Sequence, residues 1–442
     1  MKFFQTIKNI FKIEELRKRI LYTIGIIIIY RVGSFIILPG VNPDALGNLH
    51  SQGQTGLLGL LNMFSGGAFS NASIFALGIM PYISASIVIQ LLGMFIPYFQ
   101  KMQREGESGR RKMNQITRLL TIAVTAFQAP AYLSNVVGQV GAAGIISNGP
   151  FFWISSTIIL TAGTLFVMWL GERITDNGIG NGISLLIMIG IIARLPFALA
   201  AEFASRLEEL GGGLVIFVIE IVFLIVVILL CILLVQGTRK IPVNYARRII
   251  GNKQYGGVRQ YIPMKVNAAG VMPIIFAQAI MFIPVTIAGF ISPDSAGSGF
   301  MRAMSDMNSF WYNSIFAIII ILFTYFYTAI TMNSHQIADD LKKNGGFIPG
   351  VKPGKATANF IDDVISKITL PGSIFLAIVA ILPAVFRLFG LNTQFAQFYG
   401  GTSLLIMVGV ILDTLQQIES KLLERHYDGL TKSGRIKGRG SM

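Results

Sequence analysis

The chain has 442 residues, of which 53% are hydrophobic and 13% are charged, and 36 Lys and Arg against 21 Asp and Glu give a formal net charge of +15. So few charged residues cannot cover the surface of a water-soluble fold, and the composition therefore indicates a polytopic membrane protein. Cys231 is the only cysteine, which excludes disulfide bonds and CxxC metal sites within the chain.

The N-terminal segment carries apolar residues at helical spacing between lysines, which favours a short amphipathic helix at the membrane surface. These residues are Phe3, Phe4, Ile7, Ile10 and Phe11. A charged leader that only sets the topology is the alternative. No small-residue cleavage site follows the first apolar span, so we expect the N-terminus to be retained.

Ten apolar spans are predicted, because stretches of about 20 apolar residues are needed to cross the hydrocarbon core. They are centred near residues 29, 84, 127, 162, 191, 225, 280, 321, 378 and 410. Of the 36 Lys and Arg, 31 fall in the N-terminal segment, the loops after spans 2, 4, 6 and 8, and the C-terminal tail. Since basic residues collect on the cytoplasmic side, both termini are predicted to face the cytoplasm.

Two of the cytoplasmic loops, 236–265 and 332–367, are much longer than ordinary connections and are rich in Gly, Pro and basic residues. We expect them to form structured surfaces for a large partner that is acidic or carries RNA. Most of the net charge is nevertheless explained by topology alone.

A short apolar stretch, Leu57–Phe64, precedes the second span and ends at Gly66-Gly67. As a helix it would be only about 12 Å long, too short to cross the membrane. It must lie on the outer interface or re-enter the protein, where its backbone would be surrounded by protein or by a water-filled cavity. Ser70 or Asn71 is expected to cap the second span that follows.

Catalytic motifs are absent from the sequence, so we expect no enzyme activity, no cofactor and no metal. There is no Walker-type phosphate loop, no HExxH and no GxSxG, and His50, His335 and His426 all fall in loops or the tail. Ionisable residues within spans are few, and Arg31, Glu220 and Asp413 lie toward span ends, where snorkelling would satisfy them. This argues against an ion-coupled transporter but leaves a uniporter open.

Several longer strings point to one family. They are FALGIMPYISASIVIQLL at 75–92, EGESGRRK at 105–112, GIGNGIS at 178–184, IPVNYARR at 241–248, MKVNAAGVMPIIFA at 264–277, the PG pairs at Pro349 and Pro353, and GGTSLLI at 400–406. With these strings in this order, essentially the whole chain resembles the SecY family, the central subunit of the bacterial protein-conducting channel.

The resemblance implies an all-α polytopic membrane protein with ten transmembrane helices in two inverted five-helix halves, residues 1–200 and 201–442. The halves would hinge between spans 5 and 6 and open laterally between spans 2 and 7. The short apolar stretch would be the re-entrant plug helix at 57–67, with Leu57, Leu60, Leu61, Phe64, Gly66 and Gly67.

A ring of apolar side chains would seal the pore by excluding water while deforming around a translocating chain. Ile79 and Ile83 are four residues apart, as are Ile183 and Ile187, so each pair shares one helix face. The resemblance matches both pairs, with Ile275 and Ile406, to the family's ring. It also assigns a lateral gate to Gly78, Pro81, Ser84, Asn267, Pro273 and Gln278, although ordinary helix packing would also explain small residues there.

The resemblance further implies a cytoplasmic docking surface for the SecA motor ATPase or the ribosome, whose RNA phosphates suit cations. Its residues would be Arg104, Arg110, Arg111, Lys112, Arg239, Lys240, Arg247, Arg248, Lys352 and Lys355. Lys352 departs from the family, which usually has arginine between the two PG pairs, and lysine lacks the bidentate guanidinium.

The first hypothesis is therefore a passive channel in the bacterial cytoplasmic membrane that works with the small membrane subunits SecE and SecG. It would pass unfolded signal-bearing polypeptides and release apolar segments into the lipid bilayer. A solute uniporter is the second hypothesis, and a membrane scaffold without a pore is the third.

Overall fold

The computed structural model of the chain describes residues 13–46, 59, 62–140, 145, 149–208, 213–245, 248–250, 253–255, 259–288 and 309–433. Several predictions fall outside these residues. They are the N-terminal amphipathic helix, the plug residues Leu57, Leu60 and Leu61, the docking residue Arg247, and the connection 209–212 between spans 5 and 6.

The described chain is mostly helical. In chain order, the first helices are α1 Glu14–Gly33, α2 Met80–Phe95, α3 Pro97–Arg104, α4 Glu107–Val140, α5 Pro150–Asn177, α6 Gly182–Glu208 and α7 Gly213–Gln236. The later helices are α8 Met272–Ala288, α9 Phe310–Thr331, α10 Ser334–Lys343, α11 Lys355–Leu388, α12 Thr393–Ala396 and α13 Gly401–Ser433. The strands are β1 Thr238–Tyr245, β2 Arg248–Ile250, β3 Lys253–Tyr255, β4 Arg259–Lys265 and β5 Gly346–Phe347.

The prediction of a helical, polytopic membrane protein is confirmed. A helix covers each of the ten predicted span centres. Among the described residues, seven helices are long and apolar enough to cross a membrane. A bent pair, Met80–Gly93 and Pro97–Gln103, raises that number to eight if the pair is one span. The count of ten stays a prediction.

The start of the second span differs from the sequence prediction. Ser70 and Asn71 do not cap it, because α2 begins at Met80 with Ile79 as its N-cap residue. The preceding chain is held against the end of α1 instead: the Leu38 N–H donates to the Ala72 carbonyl at 2.9 Å, and Ser73 forms an antiparallel bridge with Ile37. This long-range pairing keeps residues 72–74 out of a helix.

The chain divides into two compact units. The first contains Met1–Pro196 and Val410–Met442, and the second contains Phe197–Gly409. In the first unit, α4 packs on α2 and α5, and α1 packs on α5. In the second unit, α9 packs on α8 and α11, while α10 packs on α11. The inverted halves 1–200 and 201–442 stay a prediction.

The described parts of the two long loops, 236–265 and 332–367, fold together within the second unit. Strand β1 pairs antiparallel with β4 on one side and with β5 on the other, so the sheet order is β4-β1-β5. Its inner face contributes Ile241, Val243 and Met264 to an apolar core with Leu341 of α10 and Ile361 of α11. The two loops therefore form one small folded module, which we call the loop module, and the prediction that they are structured is confirmed. β2 and β3 form a separate hairpin.

Candidate functional site

The best-defined site lies at residues 62–70, which we call the plug base. These residues are buried and carry a helical turn at 62–64 followed by tight turns. The Asn62 side-chain oxygen accepts from the Ser70 N–H at 3.1 Å, and the Ser65 hydroxyl accepts from the Phe69 N–H at 3.1 Å. Polar side chains thus satisfy the backbone locally, which irregular chain inside a membrane protein requires.

Helix α1 holds the plug base from one side. The Tyr30 hydroxyl donates to the Ser65 carbonyl at 3.3 Å, and Arg31 Nη1 donates to the Gly66 carbonyl at 2.9 Å. An arginine donor gives a charge-assisted hydrogen bond, which is stronger than a neutral one. The interpretation of Arg31 as a snorkelling residue is therefore wrong, because its guanidinium binds the backbone of the predicted plug.

Helix α6 holds the plug base from another side. Arg194 Nη2 donates to the Ser70 hydroxyl oxygen at 3.0 Å. One turn earlier, α6 approaches the plug base so closely that a Cβ on Gly190 would lie 2.6 Å from the Phe64 carbonyl oxygen. Helix α4 adds a third contact, since the Tyr132 hydroxyl donates to the Phe69 carbonyl at 2.8 Å.

The described part of the predicted plug is thus well defined. Phe64 is 6% exposed. Gly66 and Gly67 have φ of +64° and +96°, values that favour glycine, and a Cβ on Gly66 would meet Arg31 Nη1 at 2.6 Å. The predicted glycine break at Gly66 is therefore required by its backbone conformation and by the Gly190 backbone, whose Cα would lie 2.9 Å from a Cβ on Gly66.

Sequence reasoning missed Arg31 and Arg194 as plug contacts. Their partners are a backbone carbonyl and a serine, neither of which can be read from charge pairing. A signal was present, however, because both arginines lie outside the basic segments that hold 31 of the 36 Lys and Arg.

The predicted gate spans begin in the same way in both units. Gly78 and Gly270 have φ of +54° and +63°, and the helices α2 and α8 each begin two residues later at a methionine that is followed by proline. The strings GIMP at 78–81 and GVMP at 270–273 therefore form the same local structure, with Pro81 and Pro273 in the first turn, where proline is tolerated.

This match places two predicted ring residues in equivalent positions. The Ile83 N–H donates to the Ile79 carbonyl at 3.1 Å, and the Ile275 N–H donates to the Val271 carbonyl at 3.4 Å. Ile83 and Ile275 each lie five residues after the positive-φ glycine. Of the other ring residues, Ile183 and Ile187 lie in α6 and Ile406 in α13. Their convergence into one ring stays a prediction.

The remaining gate residues are polar side chains within or just before the two gate helices. Ser84 is partly buried in α2, whereas Gln278 of α8 is only 4% exposed. Asn267 is also buried, and its amide Nδ2 donates to the Gly270 carbonyl at 3.0 Å, which closes the turn before α8. Asn267 thus has a local structural role.

Four of the predicted docking residues lie on the loop module. Arg239 and Lys240 are exposed on β1, Lys352 is exposed in the turn after β5, and Lys355 is exposed at the first residue of α11. A cation at the N-terminus of a helix is electrostatically unfavourable for the helix itself. Lys355 therefore does not stabilise α11. Arg248 lies in β2.

The predicted docking residues of the first unit surround the start of α4, where Arg110, Arg111 and Lys112 are exposed, and Arg104 ends α3. Two of these cations are paired. Arg111 lies 2.7 Å from Glu107, and Lys112 lies 3.9 Å from Glu105. Exposed pairs of this kind contribute little stability.

A second buried charged group, which we call the ionic cluster, lies in the second unit and consists of Glu202, Arg206 and Glu220. Arg206 Nη2 lies 2.7 Å from Glu220 Oε1, and Arg206 Nε lies 3.0 Å from Glu202 Oε1. Glu220 is 6% exposed, so its interpretation as a snorkelling residue is also wrong.

Tyr399 lies in the segment before α13, near the ionic cluster. Burial raises the pKa of its hydroxyl, and the carboxylates of Glu220 and Glu202 raise that pKa further, so Tyr399 stays neutral. The ionic cluster does not resemble a metal site, since Arg206 lies between the carboxylates. No group of three or more His, Cys, Asp or Glu that could hold a metal ion occurs in the described part of the chain.

Comparison with known proteins identifies the family. The SecY family model matches residues 73–415. The chain belongs to the SecY family. Protein translocase subunit SecY of Halalkalibacterium halodurans is 44% identical over 436 residues, covering 97% of this chain and 100% of that protein. Its counterpart in Mycobacterium tuberculosis is 43% identical over 435 residues, covering 95% and 97%. The chain is a subunit of a protein-conducting channel.

Solved structures agree at the level of the fold. A structure of a protein-conducting channel matches with a TM-score of 0.64 at 18% identity, covering 92% of this chain and 93% of that one. Sec61 in a canine ribosome–channel complex matches with a TM-score of 0.61 at 17% identity and the same coverages. A third match, with a TM-score of 0.62, concerns the plug domain of SecY, which stabilises the closed state of that channel.

Proposed function

We propose that unfolded secretory polypeptides cross the bacterial cytoplasmic membrane through this subunit, and that apolar segments leave sideways between spans 2 and 7. The observation that carries the proposal is the plug base, where short irregular chain is buried and held by Arg31, Arg194 and Tyr132. A scaffold without a pore has no use for such a segment.

We further propose that the predicted isoleucine ring forms the seal and that the starts of α2 and α8 form the gate. An isoleucine ring at the pore would exclude water and ions while yielding to a polypeptide. The equivalent starts of α2 and α8 support this assignment, because they give Ile83 and Ile275 the same position relative to their glycines. The same similarity supports two related halves. Both gate spans also begin with local irregularity, which suits helices that separate.

The orientation and the partners are also part of the proposal. Both termini would face the cytoplasm, where the module with Lys240, Lys352 and Lys355 would receive either the SecA motor or the ribosome. One fold relative is a yeast Ssh1 complex bound to the 80S ribosome, which supports the ribosome as a partner. The exposed lysines around the start of α11 suit phosphate or carboxylate groups. SecE and SecG would complete the channel.

The energy for transport would come from these partners. We propose no catalytic step for the chain, because its sequence has no nucleotide-binding or hydrolytic motif. Lys352 would contribute charge without the bidentate geometry of arginine.

Reconstituted channels test the proposal. Liposomes that contain the channel complex should import a signal-bearing precursor when the motor ATPase and ATP are added. Deletion of residues 56–67 should raise ion conductance in planar bilayers, because the outer funnel loses its filling. A solute uniporter predicts no precursor import and no such leak, so that pair of results would refute the channel.

The ring is tested by Ile83→Asn and Ile275→Asn. A polar side chain favours water in a narrow apolar pore, so both variants should leak ions and accept precursors with weaker signal sequences. Ile192→Asn is the matched control, because Ile192 lies on α6 outside the predicted ring and is 36% exposed. If the ring variants behave like this control, the ring assignment is wrong.

Docking is tested by charge reversal on the loop module. Lys352→Glu with Lys355→Glu should weaken ribosome or motor binding and leave the conductance of the purified channel unchanged. The binding of the parent should fall steeply as salt is raised, since exposed charges are screened. Equal binding of parent and variant would remove these lysines from the docking surface.

A further inference from the structure

The string GIGNG at 178–182 contains the short loop that joins α5 to α6. Helix α5 ends at Asn177 and α6 begins at Gly182, so only four residues connect them. Gly180 has a φ of +82°, which favours glycine, and Ile179 is only 4% exposed. A loop that is both tight and buried needs an acceptor inside the protein for each of its N–H groups.

Thr23 of α1 supplies the acceptor for the Ile179 N–H. The Thr23 hydroxyl oxygen accepts from that N–H at 3.2 Å, and the hydroxyl donates its own proton to the Arg19 carbonyl at 2.9 Å. Because Thr23 is only 8% exposed, water does not readily replace it as the acceptor. A Cβ on Gly178 would lie 2.5 Å from the Thr23 hydroxyl oxygen, so the hydroxyl lies directly against the loop backbone.

Helices α1 and α5 together form the frame that holds the loop. They pack against each other, and Arg19 Nη1 of α1 donates to the Gly178 carbonyl at 3.4 Å. On the last turn of α5, the Thr175 hydroxyl oxygen accepts from the Gly182 N–H at 2.9 Å. A Cβ on Gly182 would collide with the Gly171 carbonyl oxygen. The first residue of α6 therefore has a fixed place on this frame.

Asn181 carries the position of the loop into α6. Its side-chain Oδ1 accepts from the Ile183 N–H at 3.2 Å and from the Ser184 N–H at 3.4 Å, which caps the first turn of the helix. Ile183 is the second residue of α6, and Ile187 follows one turn later on the same face. Only three residues separate Ile179 from Ile183, so a shift of the loop moves this ring residue with it.

We propose that Thr23 is a positioning residue for the seal, because its hydroxyl holds the loop that sets the place of Ile183 and Ile187. This inference rests on the proposed function, in which these two isoleucines belong to the pore ring. The same helix already holds the plug base through Tyr30 and Arg31. Helix α1 thus fixes both barriers of the closed channel, the plug base at one place along its length and the ring at another.

Two substitutions at Thr23 separate its hydroxyl from its size. Thr23→Val keeps the volume but removes the acceptor, whereas Thr23→Ser keeps the hydroxyl. In planar bilayers that contain the channel complex, Thr23→Val should raise the resting ion leak at least about fivefold, the effect of leaving one buried N–H without a partner. It should also let precursors with weaker signal sequences pass, while Thr23→Ser should behave like the parent.

Thr161→Val of α5 is the matched control, because the Thr161 hydroxyl donates to the Thr157 carbonyl of its own helix. If Thr23→Val leaks no more than Thr161→Val, Thr23 does not position the seal. Equal leaks from Thr23→Val and Thr23→Ser would also overturn the inference, since the hydroxyl would then make no difference.

Hydrogen exchange of the channel complex separates this inference from the proposed function. Thr23→Val should speed the exchange of amides 179–184 at least about fivefold and leave amides 374–380 of α11 unchanged. Exchange at the parent rate would show that Thr23 does not hold the loop, whatever the ring does. Ile183→Asn and Ile187→Asn test the ring itself: if both variants seal like the parent, the proposed ring is wrong and Thr23 holds only the loop.

Discussion

Gly190→Ala is the sharpest test of the plug base, because one methyl group is placed against it. The new Cβ would lie 2.6 Å from the Phe64 carbonyl oxygen and 3.1 Å from the Gly66 nitrogen. An ordinary contact is at least about 3.4 Å, so the plug base must move by roughly 0.8 Å or the helix must yield. Overpacking of this kind costs about 1–3 kcal/mol.

That cost falls on the resting state, in which the plug base contacts α6. If the displaced plug loses this contact, its population should rise between about fivefold and 150-fold, since about 1.4 kcal/mol is a factor of ten. Alanine also has a helix propensity about 1 kcal/mol better than that of glycine, so the stability of the whole protein should change little. Ion leak should therefore increase without loss of folding.

Single-channel recording in planar bilayers measures the open fraction directly, and thermal unfolding in detergent serves as the folding check. Gly138→Ala is the matched control, because Gly138 lies in α4 and a Cβ on it would meet no neighbouring atom within 4 Å. If Gly190→Ala and Gly138→Ala leak equally, α6 does not hold the plug base closed and the reasoning fails.

The other predictions concern the charged contacts. Arg31→Met removes the donor to the Gly66 carbonyl, a hydrogen bond that contributes about 1.5–3 kcal/mol, so the variant should leak more ions than the parent. A leak at the parent level in bilayer recordings would contradict this. Arg206→Met leaves two buried carboxylates without their cation and should destabilise the channel by about 3–5 kcal/mol in thermal unfolding. Lys367→Met, which breaks an exposed pair with Asp363, should cost at most about 0.5 kcal/mol, and equal losses in the two variants would refute the burial argument.

The helical framework followed from hydropathy, because a membrane-spanning helix satisfies its own backbone and needs only about 20 apolar residues. The residue at which span 2 begins could not be predicted from hydropathy. Nothing in the composition of residues 72–74 distinguishes them from a helix, yet they pair with 36–38 and Ala72 has a φ of +44°. Pairing between distant segments of one sequence is not visible in local composition.

The sheet of the loop module could have been predicted from the sequence. In TRKIPVNY at 238–245, Ile241 and Val243 alternate with polar residues, which is the period of a strand with one buried face. The length of the loop predicts that it is structured, and this alternation further predicts a strand within it. Residues 346–347, by contrast, form a strand only because β1 lies beside them.

The residues of the candidate sites also differ in whether local sequence or a distant partner reveals them. Gly66 and Gly67 could be found because a chain break needs glycine, whereas the ionic cluster could not, since Glu220 looks isolated within an apolar span. Its partner Arg206 lies 14 residues earlier, on another helix. Only the packing of α6 beside α7 brings these two side chains together.

The exceptions to the clustering of basic residues show where such sites lie. Five of the 36 Lys and Arg fall outside the segments predicted to be cytoplasmic, and they are Arg31, Arg194, Arg206, Arg302 and Arg387. Two of these bind the plug base and a third forms the centre of the ionic cluster. A cation in a segment predicted to lie outside the cytoplasm opposes the topology that the other basic residues favour, so we expect it to be retained where its charge has a structural partner. In a polytopic protein of this kind, basic residues that contradict the predicted topology are therefore the first candidates for structural contacts such as those of the plug base and the ionic cluster.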